Sequence, residues 1–215
     1  YIIRSKEANV ENFFKVRAEK QEHIINAALA AFGRNGYKKA SVADIAEAAG
    51  IAKGMVTYYF GSKKNLYLYL VELGQKIIMG KAKRLLDEGA TDFFDKIRVA
   101  TEIKVEAMKE YPALLQFYIS LFNEQDADVA ADVEQFIGEG LAIRNRFLME
   151  EADFGKFRED ISPALIVKFL DWAAKGLVSD LQMLEDAEKF DEFVEEFYKL
   201  LDLMKTIFYK EEGYA

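Results

Sequence analysis

Apolar residues recur at helical spacing along nearly the whole chain. The 215 residues include only two prolines, and no alternating apolar run is bounded by hairpin turns. Together these observations predict an all-α protein. Half the residues are hydrophobic (51%) and 31% are charged, a mixture that suits amphipathic helices with solvated outer faces. Charge then divides the chain. Residues 1–70 carry eleven lysines and arginines against six acids, a net +5, so the overall −8 leaves −13 for the remainder. A basic head on an acidic body is the expected organisation.

The elements follow in order. Phe13, Ile24, Ile25, Ala28, Leu29 and Phe32 fall on one stripe, predicting a long first helix over residues 11–34 that Gly33 and Gly36 terminate. A short second helix is predicted over 42–49, with Ser41 as N-cap, Asp44 in its positive first turn and Gly50 stopping it. A third short helix covers 52–60. After Gly61, Ser62 caps a long fourth helix over about 63–87. Further helices are expected near 92–110, 113–124, 127–152, 162–184 and 188–210, with Pro112 and Pro163 at helix starts, where a missing N–H costs nothing. Gly74 and Gly80 lie inside the fourth helix. Interior glycine costs about 1 kcal/mol against alanine, so bending or close packing is expected there.

Residues 41–60, SVADIAEAAGIAKGMVTYYF, meet the requirements of a helix-turn-helix. Val42, Ile45, Ala46 and Ala49 give the second helix an apolar face, Gly50 supplies the tight turn, and Ile51 and Val56 close the small core. Lys53, Gly54, Thr57 and Tyr58 remain on or near the outer face of the third helix, the polar, cationic surface that a recognition helix needs. Lys53 can bond guanine O6 or N7, the Thr57 methyl can touch a thymine methyl, and Gly54 permits close backbone approach.

The stretch from about Arg17 to Leu66 resembles the DNA-binding head of TetR-family bacterial regulators. The resemblance rests on an ordered set: Ile24-Ile25 with Ala28 and Phe32, Gly36-Tyr37, Ser41 to Ala46, Ala49 to Gly54, and Tyr58 to Lys63 with Leu66. It implies a homodimeric transcriptional regulator, usually a repressor released from a palindromic operator by a small molecule. It also implies a phosphate contact for Lys63, where an ammonium and exposed helix N–H groups make an anion site. Ser41 is similarly placed. Of Tyr58 and Tyr59, one hydroxyl is expected near the DNA backbone and one ring packed in the head. The family often has tyrosine where Thr57 stands, so one common backbone contact is shortened or replaced here.

The division expected is a DNA-binding domain over 11–62 and a helical ligand-binding and dimerisation domain over 63–210. Residues 164–184 are apolar on more than one stripe, and Phe190, Phe193, Val194, Phe197, Leu200, Leu201, Met204, Ile207 and Phe208 continue the pattern. Two such helices meeting their symmetry mates would build a four-helix dimer interface, with Ala173 and Gly176 allowing close approach. Phe93, Phe117, Tyr118, Phe122, Phe147 and Trp172 are the candidates for lining an effector pocket, since such pockets are mostly apolar. The acidic run Glu124-Asp126-Asp128-Asp132 is expected to be a solvated face.

Competing classes are disfavoured. The chain has no cysteine and a single histidine, His23, so disulfide frameworks, thiolate chemistry and the HExxH metal motif are excluded, and no metal or cofactor is expected. No GxSxG, P-loop or GxGxxG occurs. The longest uncharged run, Tyr111 to Asn123, is shorter than the roughly 20 apolar residues that span a bilayer, and no apolar leader opens the chain, so a cytoplasmic location is expected. The remaining rival is a helical protein-interaction scaffold without sequence-specific DNA binding.

Overall fold

The computed structural model describes residues 10–85, 92–150, 152–181 and 187–210. The protein is all-α: α1 (Val10–Phe14), α2 (Ala18–Lys39), α3 (Val42–Ala48), α4 (Lys53–Phe60), α5 (Lys63–Leu85), α6 (Phe93–Glu110), α7 (Pro112–Phe122), α8 (Ala130–Met149), α9 (Pro163–Leu181) and α10 (Ala187–Phe208). A 3₁₀ turn, Phe154–Lys156, precedes α9, and Phe157 bridges Tyr209 in the only β-type pairing among the described residues.

The predicted first helix is two helices. The chain breaks over Lys15-Val16-Arg17 and restarts at Ala18, because Phe13 is pulled into the head, where its ring meets Tyr59, Phe60 and Tyr69 at 5.8, 4.9 and 5.9 Å. At the other end Gly33 does not stop α2. The helix runs on to Gly36, which leaves helical geometry at φ 65°, ψ 177°, a conformation an L side chain resists.

The described residues form two compact units. The first comprises residues up to 81 with 104–139, the second 82–103 with 140 onward. The core of the first is built from Ile24, Ala28, Leu29 and Phe32 of α2, Ile45 and Ala46 of α3, Val56 and Phe60 of α4, Leu66, Tyr67 and Leu70 of α5, and Leu114, Phe117 and Leu121 of α7. All sit at the helical spacings that bury one stripe. The head at 11–62 thus shares one core with the start of α5 and with α7.

The two glycines of α5 differ. A Cβ on Gly74 would lie 2.8 Å from the Tyr118 hydroxyl and 3.1 Å from Leu114, so this glycine lets α7 side chains approach α5 closely. Gly80 faces open space, with nothing within 4 Å. Gly80→Ala is expected to raise stability by up to about 1 kcal/mol through helix propensity alone. Gly74→Ala is expected to lower it, because the buried Tyr118 hydroxyl has to move. Paired thermal melts separate the two.

The second unit packs Phe93, Phe94 and Ile97 of α6 with Leu148, Phe157, Ile166, Leu201 and Tyr209. Two buried charges organise it. Lys96, 4% exposed, donates to the carbonyls of Phe147 and Glu150, so a cation meets the negative end of α8. Asp92, 7% exposed, caps α6 by accepting from the amides of Phe94 (3.0 Å) and Asp95 (3.2 Å). It also pairs with Lys156 at 3.1 Å and Lys205 at 3.3 Å. Burial works to raise the Asp92 carboxyl, but the Lys156 hydrogen bond, the Asp95 amide and Lys205 outweigh it and hold it below the usual value. The carboxylate therefore stabilises the fold fully above the unfolded value of about 4, and this contribution is lost as pH falls through the lower folded value. Asp92→Asn keeps an N-cap but removes the charge. It is expected to cost about 1–2 kcal/mol at pH 7, allowing for the partly exposed lysines. Melts of both chains should converge below about pH 4.

Candidate nucleic-acid interface

The segment 41–60 folds as a helix-turn-helix. Ser41 is extended (φ −105°, ψ 130°) and its Oγ accepts from the amides of Ala43 (3.1 Å) and Asp44 (3.5 Å), so α3 starts where a hydroxyl can satisfy orphan donors. The hydroxyl hydrogen stays available to donate outward. The Ala49 amide donates to the Ile45 carbonyl, Gly50 to Glu47 and Ile51 to Ala46, and Gly50 makes the turn at φ 64°. Ile45, Ala46 and Val56 are sealed between α3 and α4.

That seal fixes what α4 presents. Lys53, Gly54, Thr57 and Tyr58 are all exposed, Tyr58 by 52%, and they share the outer face and N-terminal turn of the helix. Tyr59 and Phe60 point the other way and are buried, Tyr59 edge-on to Phe13. Of the two tyrosines, Tyr58 offers its hydroxyl to solvent and Tyr59 its ring to the core.

Lys63 behaves differently from a free lysine. Its Nζ lies 2.9 Å from the Tyr37 carbonyl, 3.3 Å from Lys38 and 3.4 Å from Ala40, and 4.3 Å from the centre of the Tyr37 ring. The ammonium fixes the loop that leads into Ser41. Its neighbour Lys64 donates to the Asp128 carbonyl at 2.5 Å and pairs with Asp132 at 2.8 Å. The acidic run expected to be solvated is therefore attached to the head through Asp132 and, as Glu124 shows below, through its first member as well.

Among the described residues Lys38, Lys39 and Lys53 make no ion pair, and neither do Arg17 and Lys20, which line a groove of about 310 Å³ with Glu19, His23, Ala49 and Gly50. Lys38 and Lys39 flank the cap of α3 and Arg17 and Lys20 flank the turn, so phosphate charge would meet cations on both sides of the motif. The residue-by-residue sequence reading passed over these four. The Lys-Lys pair just ahead of an N-capping serine was the available signal.

The six pocket candidates are not gathered in either unit. Phe117, Tyr118 and Phe122 belong to the first, Phe93, Phe147 and Trp172 to the second. Phe93 and Phe117 are fully buried core, Phe147 packs on the second core beneath Lys96, and Phe122 and Trp172 are 52% and 60% exposed. Tyr118 has a buried hydroxyl without a hydrogen-bond partner among the described residues, and burial pushes its phenol well above the ordinary value.

A sealed helix-turn-helix with a polar outward helix and unpaired cations around it defines a DNA-binding protein. Comparison with known proteins places it more closely. Residues 24–70 match the family described as bacterial regulatory proteins, tetR family. Over 161 residues the chain is 25% identical to the HTH-type transcriptional repressor KstR2 of Mycolicibacterium smegmatis, covering 71% of this chain and 75% of that one. The fold is similar to a TetR-family regulator of Chloroflexus aurantiacus (TM-score 0.72, 22% identity, 94% and 98% of the two chains). It is also similar to FadR of Bacillus subtilis, solved in complex with stearoyl-CoA (TM-score 0.64, 19% identity, 85% and 96%). Residues 24–70 thus carry a DNA-binding segment of the tetR-family type, and the chain is a DNA-binding transcriptional regulator. These relatives are regulators, not enzymes, and no helix among the described residues is long and apolar enough to cross a membrane.

Proposed function

We propose that the chain is a repressor that binds a palindromic operator as a homodimer and is released by a small-molecule effector. The observation that carries this reading is the outward face of α4: Lys53, Gly54, Thr57 and Tyr58 are all exposed, outside the buried core of the head. Lys53 and Thr57 would read base edges, Gly54 would admit the backbone, and Ser41 and Tyr58 would donate to phosphates. Lys63 would act from behind, holding the Tyr37–Ala40 loop and its helix N-terminus in register, rather than reaching out alone. Tyr59 would serve as core. Residues 11–62 would be the reading domain and 63–210 the effector and dimerisation domain.

The dimer follows from an apolar stripe on the second unit. Leu165, Phe169 and Trp172 of α9 are 55%, 41% and 60% exposed at helical spacing, and Leu200, Leu203 and Ile207 of α10 are 47–53% exposed in the same way. Gly176 continues the α9 stripe with open space where a Cβ would stand. So much apolar surface on two neighbouring turns is typical of an interface. Trp172 fits that face better than a pocket. An effector with a long apolar part would suit an aromatic-lined site, by analogy with the stearoyl-CoA complex of FadR of Bacillus subtilis; Phe117, Tyr118 and Phe122 are the candidates of the first unit, Phe93 and Phe147 those of the second.

Selection from a random duplex pool tests the reading. The expected product is an inverted repeat whose half-sites lie about one helical turn apart or a little more. A folded, dimeric chain that enriches no sequence at low salt would instead support the interaction scaffold.

A further inference from the structure

We infer that Glu124 is a positioning residue for operator recognition, tying the junction after α7 to the loop that presents α3 to DNA. This rests on the operator-binding reading above. The two carboxylate oxygens do separate work. Oε2 accepts from the Tyr37 amide at 2.8 Å, across 87 residues of sequence, while Oε1 accepts from the amides of Gln125 (3.1 Å) and Asp126 (2.9 Å). One rigid group thus belongs to two turns at once. Bonds to a charged acceptor are roughly twice as strong as neutral ones, and Glu124 is half-buried, so solvent competes only partly.

The position of the Tyr37 anchor gives the contact its consequence. Gly36 has just left helical geometry, so the direction of residues 37–41 is not dictated by α2. It is set from outside. Glu124 holds the loop by its amide, and Lys63 holds it by the carbonyls of Tyr37, Lys38 and Ala40. Ser41 and the free Lys38 and Lys39 ride on that loop. Past the other end of the motif, Lys64 is held by the Asp128 carbonyl and Asp132. The segment 124–132 therefore grips the reading unit both where the chain enters it and where it leaves. The Tyr37 phenol registers the same proximity: burial raises it first, then Asp128, Asp126 and Glu124 raise it further.

A displacement of the 124–132 turn would reach the loop before Ser41 through Glu124 and the start of α5 through Lys64, alongside the apolar contact that Val129 makes in the shared core. Loss of Glu124 should blur the geometry that base reading needs while removing none of the phosphate-seeking cations.

The experiment compares full-length wild type, Glu124→Ala and Glu124→Gln on the selected operator and on a scrambled duplex of equal length, over a range of salt. Glu124→Ala is expected to weaken operator binding about tenfold, the equivalent of one charged hydrogen bond. Affinity for the scrambled duplex and the salt slope should stay unchanged, because the count of neutralised phosphates is the same. Glu124→Gln keeps an acceptor for the Tyr37 amide and should recover most of the loss. Equal loss on both duplexes, or an alanine variant that reads the operator as well as wild type, overturns the inference. A wild type that fails to distinguish the duplexes overturns the operator reading beneath it. Should Glu124→Ala fail to fold, Glu124→Asp, a methylene too short to span both turns, carries the comparison: a loss confined to the operator supports the inference, and none overturns it.

Discussion

Phe169→Glu with Trp172→Glu is expected to convert the protein to a monomer and abolish specific operator binding. Both side chains stand exposed on α9, in line with Leu165 and Gly176, and Lys168 lies over the Trp172 ring at 5.1 Å. In the dimer each substitution would place an unpaired carboxylate against apolar surface, and by symmetry four would be buried together. An ionised group without a partner costs several kcal/mol to bury, so dimer affinity should fall on the order of a thousandfold or more. Trp172 stands largely outside the monomer's packing and Phe169 meets the Phe208 ring at 5.9 Å, so helicity should hold while melting of the isolated chain falls modestly. Operator affinity should drop to the non-specific level, typically a factor of about 10³ or more, because one short helix reads too few bases. Sedimentation equilibrium gives the first result and operator titration the second. A variant that sediments as a dimer would show that subunits meet elsewhere.

Gly33→Ala is expected to be among the most destabilising substitutions of the head, although it replaces glycine inside a helix. Propensity alone favours alanine by about 1 kcal/mol. Against that, the added Cβ would lie 2.9 Å from the Phe117 amide nitrogen and 3.0 Å from the Gln116 carbonyl carbon. These are backbone atoms of α7, which no rotamer change can move. α2 and α7 would have to part along a seam that includes Phe32, Leu114, Phe117 and Leu121. Overpacking of this kind costs about 1–3 kcal/mol or more, and the immobile neighbours argue for the upper end. A net loss of about 2 kcal/mol would lower the melting temperature by roughly 4–8 °C in a chain of this size. Gly33→Val should unfold the head outright. A melt unchanged by the alanine substitution would mean that α2 and α7 do not approach this closely.

The helical architecture and the reading motif were legible because they depend on local pattern. Apolar spacing, the Ser41 cap, Gly50 and the outward set on α4 are all decided within twenty residues of sequence. What was not legible depended on distant partners. The break at Lys15–Arg17 comes from Phe13 docking beside Tyr59 and Tyr69, and helical periodicity continues straight across it. Gly33 looked like a stop signal because composition does not distinguish a glycine that ends a helix from one that admits another helix. Lys63 looked like an outward phosphate contact and the acids from Glu124 to Asp132 like a solvated face, since their partners lie 23–87 residues away. The aromatic residues of the body gave no directional signal at all. Helical position told neither which of Phe93, Phe117 and Trp172 would be core nor which would face outward.

The shared core of the head and α7 bears on how this regulator can be taken apart. A head cut at residue 62 would leave Gly33 facing water, Tyr37 without its carboxylate acceptor and Phe32 short of the Phe117 side of its packing. Transplanting the DNA specificity of this chain onto another effector module therefore requires moving residues 104–139 along with it. The exchangeable cassette is discontinuous in sequence, and a graft that respects only the motif should bind its operator weakly even with every base-contacting residue intact.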